Sequence, residues 1–308
     1  MGYMGKLSMI LVDLNQVLIS NLMAQTRGQP DITNANEDMI RHMVINSLRG
    51  FNVKFKSKYG KMVLCSDAGD PWRRDIFSHY KYSRKKGREE STFDWDNIFN
   101  IITNIKNEIK ENFPYVVMYN EKCEADDIIA TLVKYYYQDE PIMIVSGDKD
   151  FIQLQQYKNV QQYAPIQKQM VGEDIDPKQF LLEQILKGDR SDGVPNILSE
   201  DDVFVTGEKQ KPMTKKRIEE FSNKSNHTDY IGKNWSRNEN LIDLTKIPKV
   251  YEDAIINSFR SYKINDRSKL LTYFIENKLK SLMENIGDFL HEEIIWQSKI
   301  LTYCQEIK

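Results

Sequence analysis

Acidic residues recur at short intervals along the first two thirds of this 308-residue chain. Asp148 and Asp150 form an Asp-x-Asp pair, and Asp189 and Asp192 form an Asp-x-x-Asp pair. One general acid–base pair needs only two carboxylates, so this number of acids points to a site that binds cations. The other acids of the set stand at the ends of short apolar runs or at predicted helix starts: Asp13, Asp67, Glu124, Asp126 and Asp127.

Crowded carboxylates repel one another and take up protons unless cations neutralise them. Oxygen ligands without Cys or His favour Mg²⁺, for which Mn²⁺ can substitute. Two such ions about 4 Å apart would stabilise the attacking and leaving oxygens of a phosphodiester displacement. For any single acid a helix cap is the simpler interpretation, and Glu124-Ala125-Asp126-Asp127 fits a helix first turn. The metal interpretation therefore depends on the whole set.

The elements that must position these acids follow from the apolar pattern. Short β-branched runs alternate with amphipathic stretches over the first 165 residues, which predicts an α/β fold with a mostly parallel central sheet flanked by helices. Helical spacing predicts crossover helices near residues 39–51 and 98–109. Ligands bind at the carboxyl ends of parallel strands, so acids that follow the strands should converge. We predict buried strands over residues 9–12, 62–65, 115–118 and 142–145.

The pattern changes near residue 190, which divides the chain into a core over residues 1–190 and a helical region over residues 191–308. In the second part, polar helices are broken by Asn, Lys and Ser, and no strand is evident. Two helices near residues 254–262 and 270–275 are predicted to pack back on the sheet. A further helix, near residues 294–304, is predicted to pack as well.

Residues 72–88 carry seven Lys or Arg and one acid, directly after the strand that leads to Asp67. Aromatic residues, among them Trp72 and Phe77, interleave with these cations, as expected of a surface that contacts phosphates and stacks bases. A second basic cluster adds Lys215 and Lys216, although a solvated helix face explains that cluster equally well. The first stretch supplies most of the candidate nucleic-acid contacts: Arg73, Arg74, Tyr80, Tyr82, Lys85, Lys86 and Arg88.

Composition narrows the class of protein. The 43 Lys and Arg against 45 Asp and Glu give a formal charge of -2, which argues against a generally basic nucleic-acid binder. Three cysteines without a C-x-x-C pair favour a reduced protein rather than a disulfide framework or thiolate zinc site. No apolar stretch predicts a membrane span or a signal peptide, so we expect a cytoplasmic protein without membrane contact. A phosphate-binding G-x-x-x-x-G-K-[ST] motif is absent, so a nucleotide-driven motor is unsupported.

Taken together, these residues resemble the 5′ nuclease (flap endonuclease) family, most closely its T-even bacteriophage branch. The resemblance runs from about Ile10 to Leu290 and implies a PIN-like 5′ nuclease core with a basic arch at about residues 72–92, followed by a helical duplex-binding region. Its landmarks include Val12-Asp13-Leu14-Asn15, Glu124-Ala125-Asp126-Asp127, Ser146-Gly147-Asp148-Lys149-Asp150 and Leu186-Lys187-Gly188-Asp189.

The resemblance also assigns roles. Lys81 and Arg84 match the family's Tyr-Lys-x-x-Arg and would act catalytically at the scissile phosphate, where they would stabilise transition-state charge. Asp127 matches a family acid whose role stays open. The implied metal ligands are Asp13, Asp67, Asp126 and Asp148 for a first ion, and Glu124, Asp150, Asp189 and Asp192 for a second.

The implied function is a Mg²⁺-dependent 5′ to 3′ nuclease that acts on RNA–DNA hybrids and on 5′-flap or forked DNA. It would remove RNA primers and adjacent DNA from lagging-strand fragments in phage replication, and contact a single-stranded-DNA-binding protein and a sliding clamp. One departure is Asp192-Gly193-Val194-Pro195, which replaces the family's Gly-Ile-Gly hairpin. Two alternatives are a PIN-like ribonuclease acting on single-stranded RNA and a non-catalytic nucleic-acid binder. The second is disfavoured because acids without metal ions would repel phosphate.

Overall fold

The computed structural model describes residues 8–25, 36–138, 140–266 and 268–290, apart from the side chain of Lys85. In these ranges a six-stranded sheet is formed by β1 (Met9–Asp13), β2 (Lys61–Cys65), β3 (Val116–Met118), β4 (Ile142–Val145), β5 (Val160–Ala164) and β6 (Gln169–Val171). The strand order is β3-β2-β1-β4-β5-β6. The first five strands pair in parallel, and β6 pairs antiparallel to β5. The predicted α/β class with a mostly parallel sheet is confirmed.

The four predicted strands are present, but sequence reasoning missed β5 and β6. The sequence of β5 is Val-Gln-Gln-Tyr-Ala, which lacks the continuous apolar run of a central strand. Gln162 is nevertheless fully buried, because its amide donates to the backbone carbonyls of Ser146 and Asp148 at 2.9 and 2.6 Å. A buried polar side chain with partners so far away in sequence gives no local signal.

Helices flank the sheet and continue into the C-terminal part. The helices over Glu37–Tyr59, Trp95–Asn112, Lys249–Ser261 and Ser268–Glu276 correspond to the four helices predicted from helical spacing. The α-helices of the described ranges are α1 (Leu14–Gln25), α2 (Glu37–Tyr59), α3 (Arg73–Ile76), α4 (Tyr82–Glu89), α5 (Trp95–Asn112), α6 (Ala125–Tyr136), α7 (Pro177–Lys187), α8 (Val203–Thr206), α9 (Lys215–Ser222), α10 (Asp229–Ile242), α11 (Lys249–Ser261), α12 (Ser268–Glu276) and α13 (Lys280–Met283).

The sheet separates two apolar layers. In β1, Ile10 and Val12 pack in the layer that holds α1, α2 and α5, whereas Met9 and Leu11 pack in the layer that holds α6. This alternation is the period of two that a strand imposes on its side chains. Helix α12 adds to the first layer and α11 to the second, so both C-terminal helices pack back on the sheet as predicted. Packing on both faces makes the strand ends a fixed platform.

A smaller apolar cluster joins α7 to the C-terminal part, where Ile185 and Leu186 pack with Ile197 and Trp235. The division of the chain near residue 190 stays a prediction. The helix predicted near residues 294–304 lies outside the described residues. Among the helices that are described, none combines the length and apolar character that a membrane crossing requires.

Candidate functional site

The acids converge where the parallel strands end. A cavity of about 200 Å³ opens there, and Lys81 and Arg84 also line it. Glu124 lies beside it, in the wall of a larger adjoining groove. The predicted convergence is therefore observed, whereas the binding of metal by these acids stays a prediction. The acids that line the cavity are Asp13, Asp67, Asp126, Asp148, Asp150, Asp189 and Asp192.

Hydrogen bonds hold the first two acids at the sheet edge. Asp13 is the last residue of β1, and its carboxylate accepts from the backbone N–H of Gln16 at 3.0 Å and from the Ser146 hydroxyl at 3.2 Å. Asp67 follows β2 and accepts from the backbone N–H of Ala125 at 2.7 Å. Each carboxylate is thus oriented by a backbone donor at the start of a helix.

The segment from Glu124 to Asp127 is the first turn of α6, as the simpler interpretation predicted. The backbone N–H of Glu124 donates to the Asp127 carboxylate at 2.9 Å, in a capping box. Asp127 is fully buried, accepts from the Trp72 indole N–H at 3.1 Å and pairs with Arg73 at 2.9 Å. Its open role is therefore structural, whereas Asp126, one residue earlier, faces the acidic cavity.

The remaining acids lie in tight local structures. Asp148 caps a 3₁₀ helix over Lys149–Gln156 and accepts from the backbone N–H of Asp150 at 2.9 Å. The Gln184 amide donates to Asp150 at 2.5 Å. In the loop after α7, Asp189 accepts from the backbone N–H and hydroxyl of Ser191 at 2.7 and 2.8 Å.

Three glutamines position this site, and sequence reasoning missed all of them. Gln184 holds Asp150, and Gln162 holds the backbone around Asp148. The side-chain carbonyl of Gln16 accepts from the backbone N–H of Gly147 at 2.6 Å. Isolated glutamines follow no motif, and their partners are 14 to 131 residues away. The one usable signal is for Gln16, three residues after Asp13 at the start of a helix.

Cations from the basic arch reach into the acidic site. The Lys81 ammonium contacts the Glu124 carboxylate and lies 3.6 Å from Asp192, and Arg84 donates to Asp192 at 2.5 Å. The Tyr80 hydroxyl lies 2.9 and 2.8 Å from the carboxylates of Glu124 and Asp192. Lys81 has a φ of 57°, in the left-handed region that costs a non-glycine residue about 1 kcal/mol or more.

Part of the predicted nucleic-acid surface requires correction. Trp72, Phe77 and Tyr80 are at most 5% exposed, so they cannot stack on bases. Arg73 is 2% exposed and is ion-paired with Glu124 and Asp127. The prediction that Arg73 and Tyr80 contact nucleic acid is therefore wrong for this conformation. Both lie in the interior because they neutralise and hydrogen-bond buried carboxylates.

Other predicted contacts do face solvent. Tyr82 is 45% exposed, and Arg74 and Lys86 are exposed as well. Arg88 is half-buried against Phe99, with its guanidinium 5.7 Å from the ring centroid. Lys215 and Lys216 lie exposed at the first two positions of α9. The side chain of Lys85 is outside the described part of the structure.

The acids fall into two electrostatic classes. Burial, with the nearby charges of Asp67 and Asp148, raises the pKa of Asp13 to about 7. Burial and neighbouring carboxylates likewise raise the pKa of Asp150 to about 7 and that of Asp126 well above its usual value. Burial acts on Glu124 too, but Lys81 and Arg73 outweigh it and lower the pKa of that carboxyl. For Asp192, burial prevails over Lys81 and Arg84, and its pKa is raised.

These residues fit divalent cations by their chemistry. They offer hard oxygen donors in a confined space, and several of them resist ionisation because they are buried beside other carboxylates. Among the described residues, no three Asp, Glu, His or Cys side chains stand close enough to enclose an ion as they are placed. Ions bound there would offset the repulsion between these carboxylates once they are ionised.

A mostly parallel sheet with an acid-lined cavity at its strand ends and a basic helix beside it defines a PIN-like nuclease architecture. Residues 8–183 match the 5′-3′ exonuclease N-terminal resolvase-like domain, and residues 176–289 match the C-terminal domain described as T4 RNase H, C terminal. The chain therefore belongs to the 5′-3′ exonuclease (5′ nuclease) family. It is 36% identical to the Ribonuclease H of Enterobacteria phage T4 over 298 residues. This match covers 91% of this chain and 95% of that protein.

One further relative and two solved structures also resemble this chain. A 5′-3′ exonuclease of Mycoplasmopsis pulmonis is 31% identical over 139 residues, or 42% of this chain and 44% of that protein. The bacteriophage T5 D15 protein co-crystallised with metal ions superposes with a TM-score of 0.57 at 14% identity, covering 92% of this chain and 99% of that one. The bacteriophage T5 D15 flap endonuclease in a complex with DNA and metal ions superposes with a TM-score of 0.56 at 13% identity, covering 91% of this chain and 98% of that one. At these identities the superpositions show the shared fold, which confirms the PIN-like core.

Proposed function

We propose that this protein is a Mg²⁺-dependent 5′ to 3′ nuclease with ribonuclease H and flap endonuclease activity. Its substrates are RNA–DNA hybrids and 5′-flap or forked DNA, and it removes RNA primers and adjacent DNA from lagging-strand fragments in phage replication. The observation that supports this activity most directly is a cavity lined by seven carboxylates and by Lys81 and Arg84. Membership of the family and the likeness to a phage ribonuclease H support the activity.

Two Mg²⁺ ions, or Mn²⁺ in their place, are the proposed cofactors. When bound, they supply positive charge at the attacking and leaving oxygens of the phosphodiester. The proposed ligands are Asp13, Asp67, Asp126 and Asp148 for the first ion, and Glu124, Asp150, Asp189 and Asp192 for the second.

Lys81 and Arg84 hold the scissile phosphate in this proposal. Both side chains now contact Glu124 or Asp192, so a substrate phosphate competes with these carboxylates for the same cations. Arg84 is about half-exposed and can turn toward the cavity mouth. A cation within reach of the reacting phosphate stabilises negative charge that develops in the transition state.

The substrate is proposed to lie against cations of α3, α4 and α9. Arg74, Lys86 and Arg88 would contact phosphates near the site. Lys215 and Lys216 lie in the first turn of α9, where the helix dipole disfavours positive charge. Phosphates at that position would remove the unfavourable interaction, which supports a duplex-binding role for the helical region.

The remaining alternatives lack comparable support. A PIN-like ribonuclease for single-stranded RNA needs neither the basic arch nor the C-terminal region, yet residues 176–289 match the C-terminal domain of a ribonuclease H. The proposed contacts with a single-stranded-DNA-binding protein and a sliding clamp rest on the family resemblance alone.

The test offers end-labelled RNA-primed duplex and 5′-flap DNA to the purified protein, with Mg²⁺, with Mn²⁺ and with chelator. We expect cleavage near the 5′ end of the primer or at the base of the flap, in the presence of either metal ion and not with chelator. Cleavage that persists with chelator, or that is confined to single-stranded RNA, would contradict the proposal.

A further inference from the structure

Helix α10 carries a row of buried polar side chains beside the loop that holds Asp189 and Asp192. Asn234, Arg237 and Asn238 recur at three- and four-residue spacing, so they share one face of the helix. All three are at most 9% exposed. Buried amide and guanidinium groups are costly unless they are hydrogen-bonded, so their partners indicate what this face does.

Asn238 joins the two ends of that loop. Its side-chain amide donates to the backbone carbonyl of Ile185 at 2.7 Å and to that of Pro195 at 2.9 Å. Ile185 lies in the last turn of α7, where backbone carbonyls have no partner within the helix. Pro195 follows the loop, and its carbonyl also accepts from the Arg237 guanidinium at 2.8 Å. One amide group therefore holds the backbone on both sides of residues 186–194.

The loop between these two points is tight. The backbone N–H of Val194 donates to the Asp189 carbonyl at 2.7 Å and closes it. Gly188 has a φ of 68°, and a Cβ at this position would lie 2.3 Å from the Val194 carbonyl oxygen. On the side of the arch, the Asp192 carbonyl accepts from the backbone N–H of Lys81 at 2.7 Å. Because the loop has so little room, a shift of either end would move the carboxylates of Asp189 and Asp192.

Asn234 has the same chemistry as Asn238 but different partners. It lies one helical turn earlier, is buried as well, and its amide donates to the backbone carbonyls of Ile197 and Ser199 at 3.0 and 3.4 Å. Both carbonyls follow the loop, so Asn234 does not join its two ends. Asn196 also holds that stretch, because its side-chain oxygen accepts from the Ser199 hydroxyl at 2.9 Å. The two asparagines therefore differ in their position relative to the loop, and not in chemistry or burial.

We propose that Asn238 is a positioning residue for the second metal ion, because it fixes the loop whose Asp189 and Asp192 are the proposed ligands. The inference rests on the proposed function, which assigns both acids to this ion. Asn238 acts through the backbone, since both N–H groups of its amide are engaged by carbonyls. Removal of a group that orients metal ligands typically weakens metal binding by about 10- to 100-fold.

The test is calorimetric titration of Mn²⁺ into the metal-free full chain without substrate. Asn238→Leu keeps the approximate size of the side chain but leaves the carbonyls of Ile185 and Pro195 unpaired. The affinity for the second ion should therefore fall by about 10-fold or more, whereas the first ion should bind as in wild-type protein. Asn234→Leu, the matched control, removes a similarly buried amide of the same helix and should keep the wild-type affinity for both ions.

Two further measurements separate positioning from stability. Urea denaturation should show similar losses of stability in Asn238→Leu and Asn234→Leu, because each variant leaves two backbone carbonyls without their side-chain donor. Amide hydrogen exchange at Val194, whose N–H closes the loop, should be faster in Asn238→Leu than in Asn234→Leu. If Asn238→Leu does not fold, Asn238→Ser takes its place, since it leaves room for a water between the two carbonyls, and it should show the same selective loss of the second ion.

The outcomes also distinguish the two proposals. Wild-type affinity for the second ion in the Asn238 variant, or an equal loss of that affinity in the Asn234 control, overturns the positioning role and leaves the nuclease function standing. Binding of only one Mn²⁺ ion by wild-type protein overturns the positioning role together with the proposed two-ion site.

Discussion

The acidic site has two halves that differ in charge balance. In the uncompensated half, formed by Asp13, Asp126 and Asp150, burial and like charges raise the carboxyl pKa values, and no ion pair reaches these three among the described residues. In the compensated half, the carboxylates pair with cations of the basic arch. Its members are Glu124, Asp127 and Asp192 with Arg73, Lys81 and Arg84.

The difference shows that residue type alone does not decide what an acid does. Both halves lie at one edge of one sheet, and in the described part of the chain their counter-charges come from the arch, which crosses one side of it. The uncompensated half needs external cations before all its carboxylates can ionise. In the compensated half, an arriving ion or phosphate has to displace a side chain already in place. Changes on each side should therefore have different consequences.

The largest effect is expected for Asp126→Asn in the uncompensated half. The amide keeps the shape but removes a metal-binding charge, so single-turnover cleavage at saturating Mg²⁺ should fall by about 10⁴-fold, which corresponds to several kcal/mol. Binding of a flap substrate should persist. Wild-type cleavage by this variant, with normal binding, would remove Asp126 from the metal site.

Removal of the buried cation from the compensated half should affect stability. Arg73→Leu leaves Glu124 and Asp127 without their shared partner, which should lower the free energy of unfolding by about 3–5 kcal/mol in urea denaturation. Arg74→Leu, a change at an exposed neighbour with only a surface ion pair, should cost about 0.5 kcal/mol or less. Equal losses of unfolding free energy in the two variants would show that the buried ion pairs of Arg73 do not stabilise the fold more than a surface ion pair does.

The pH dependence of the metal-free protein should report the uncompensated half. The pKa of Asp13 is about 7 when folded and 3.8 for the ordinary group, so between pH 4 and 7 the folded state keeps a proton that the unfolded state releases. Rising pH therefore favours unfolding over this window. In chelator, the free energy of unfolding of wild-type protein should therefore fall between pH 5 and 8 by about 2–3 kcal/mol more than that of Asp13→Asn. Identical pH profiles for variant and wild type would contradict the shift.

The smallest effect concerns the catalytic cation. Lys81→Ala should reduce the single-turnover rate on a saturating flap substrate by about 10-fold, because it removes charge stabilisation at the phosphate. Lys86→Ala, an exposed cation of the same arch, should mainly raise the apparent Kd and flatten its salt dependence. If Lys81→Ala cleaves at the wild-type rate once saturated, Lys81 serves binding rather than chemistry.

Sequence reasoning predicted the parts of this site that depend on local pattern. Apolar runs located β1 to β4, and the acids that follow them converge because parallel strands end at one edge. It failed where a residue's role depends on distant partners. Arg73 and Tyr80 belong to a stretch that looks like a basic surface, yet both are drawn inside by Glu124, 51 and 44 residues away. Strand β5 was not predicted for the same reason, because its buried Gln162 amide donates to a backbone carbonyl outside the strand.

The most direct test of the account is calorimetric titration of Mn²⁺ into metal-free protein, because it measures the two halves separately. We predict that wild-type protein binds a first ion at the uncompensated half, that Asp126→Asn loses this binding, and that Glu124→Gln retains it with an affinity within a few-fold of wild type. Loss of the first ion in both variants alike, or its retention in both, would contradict the division of the site into two halves.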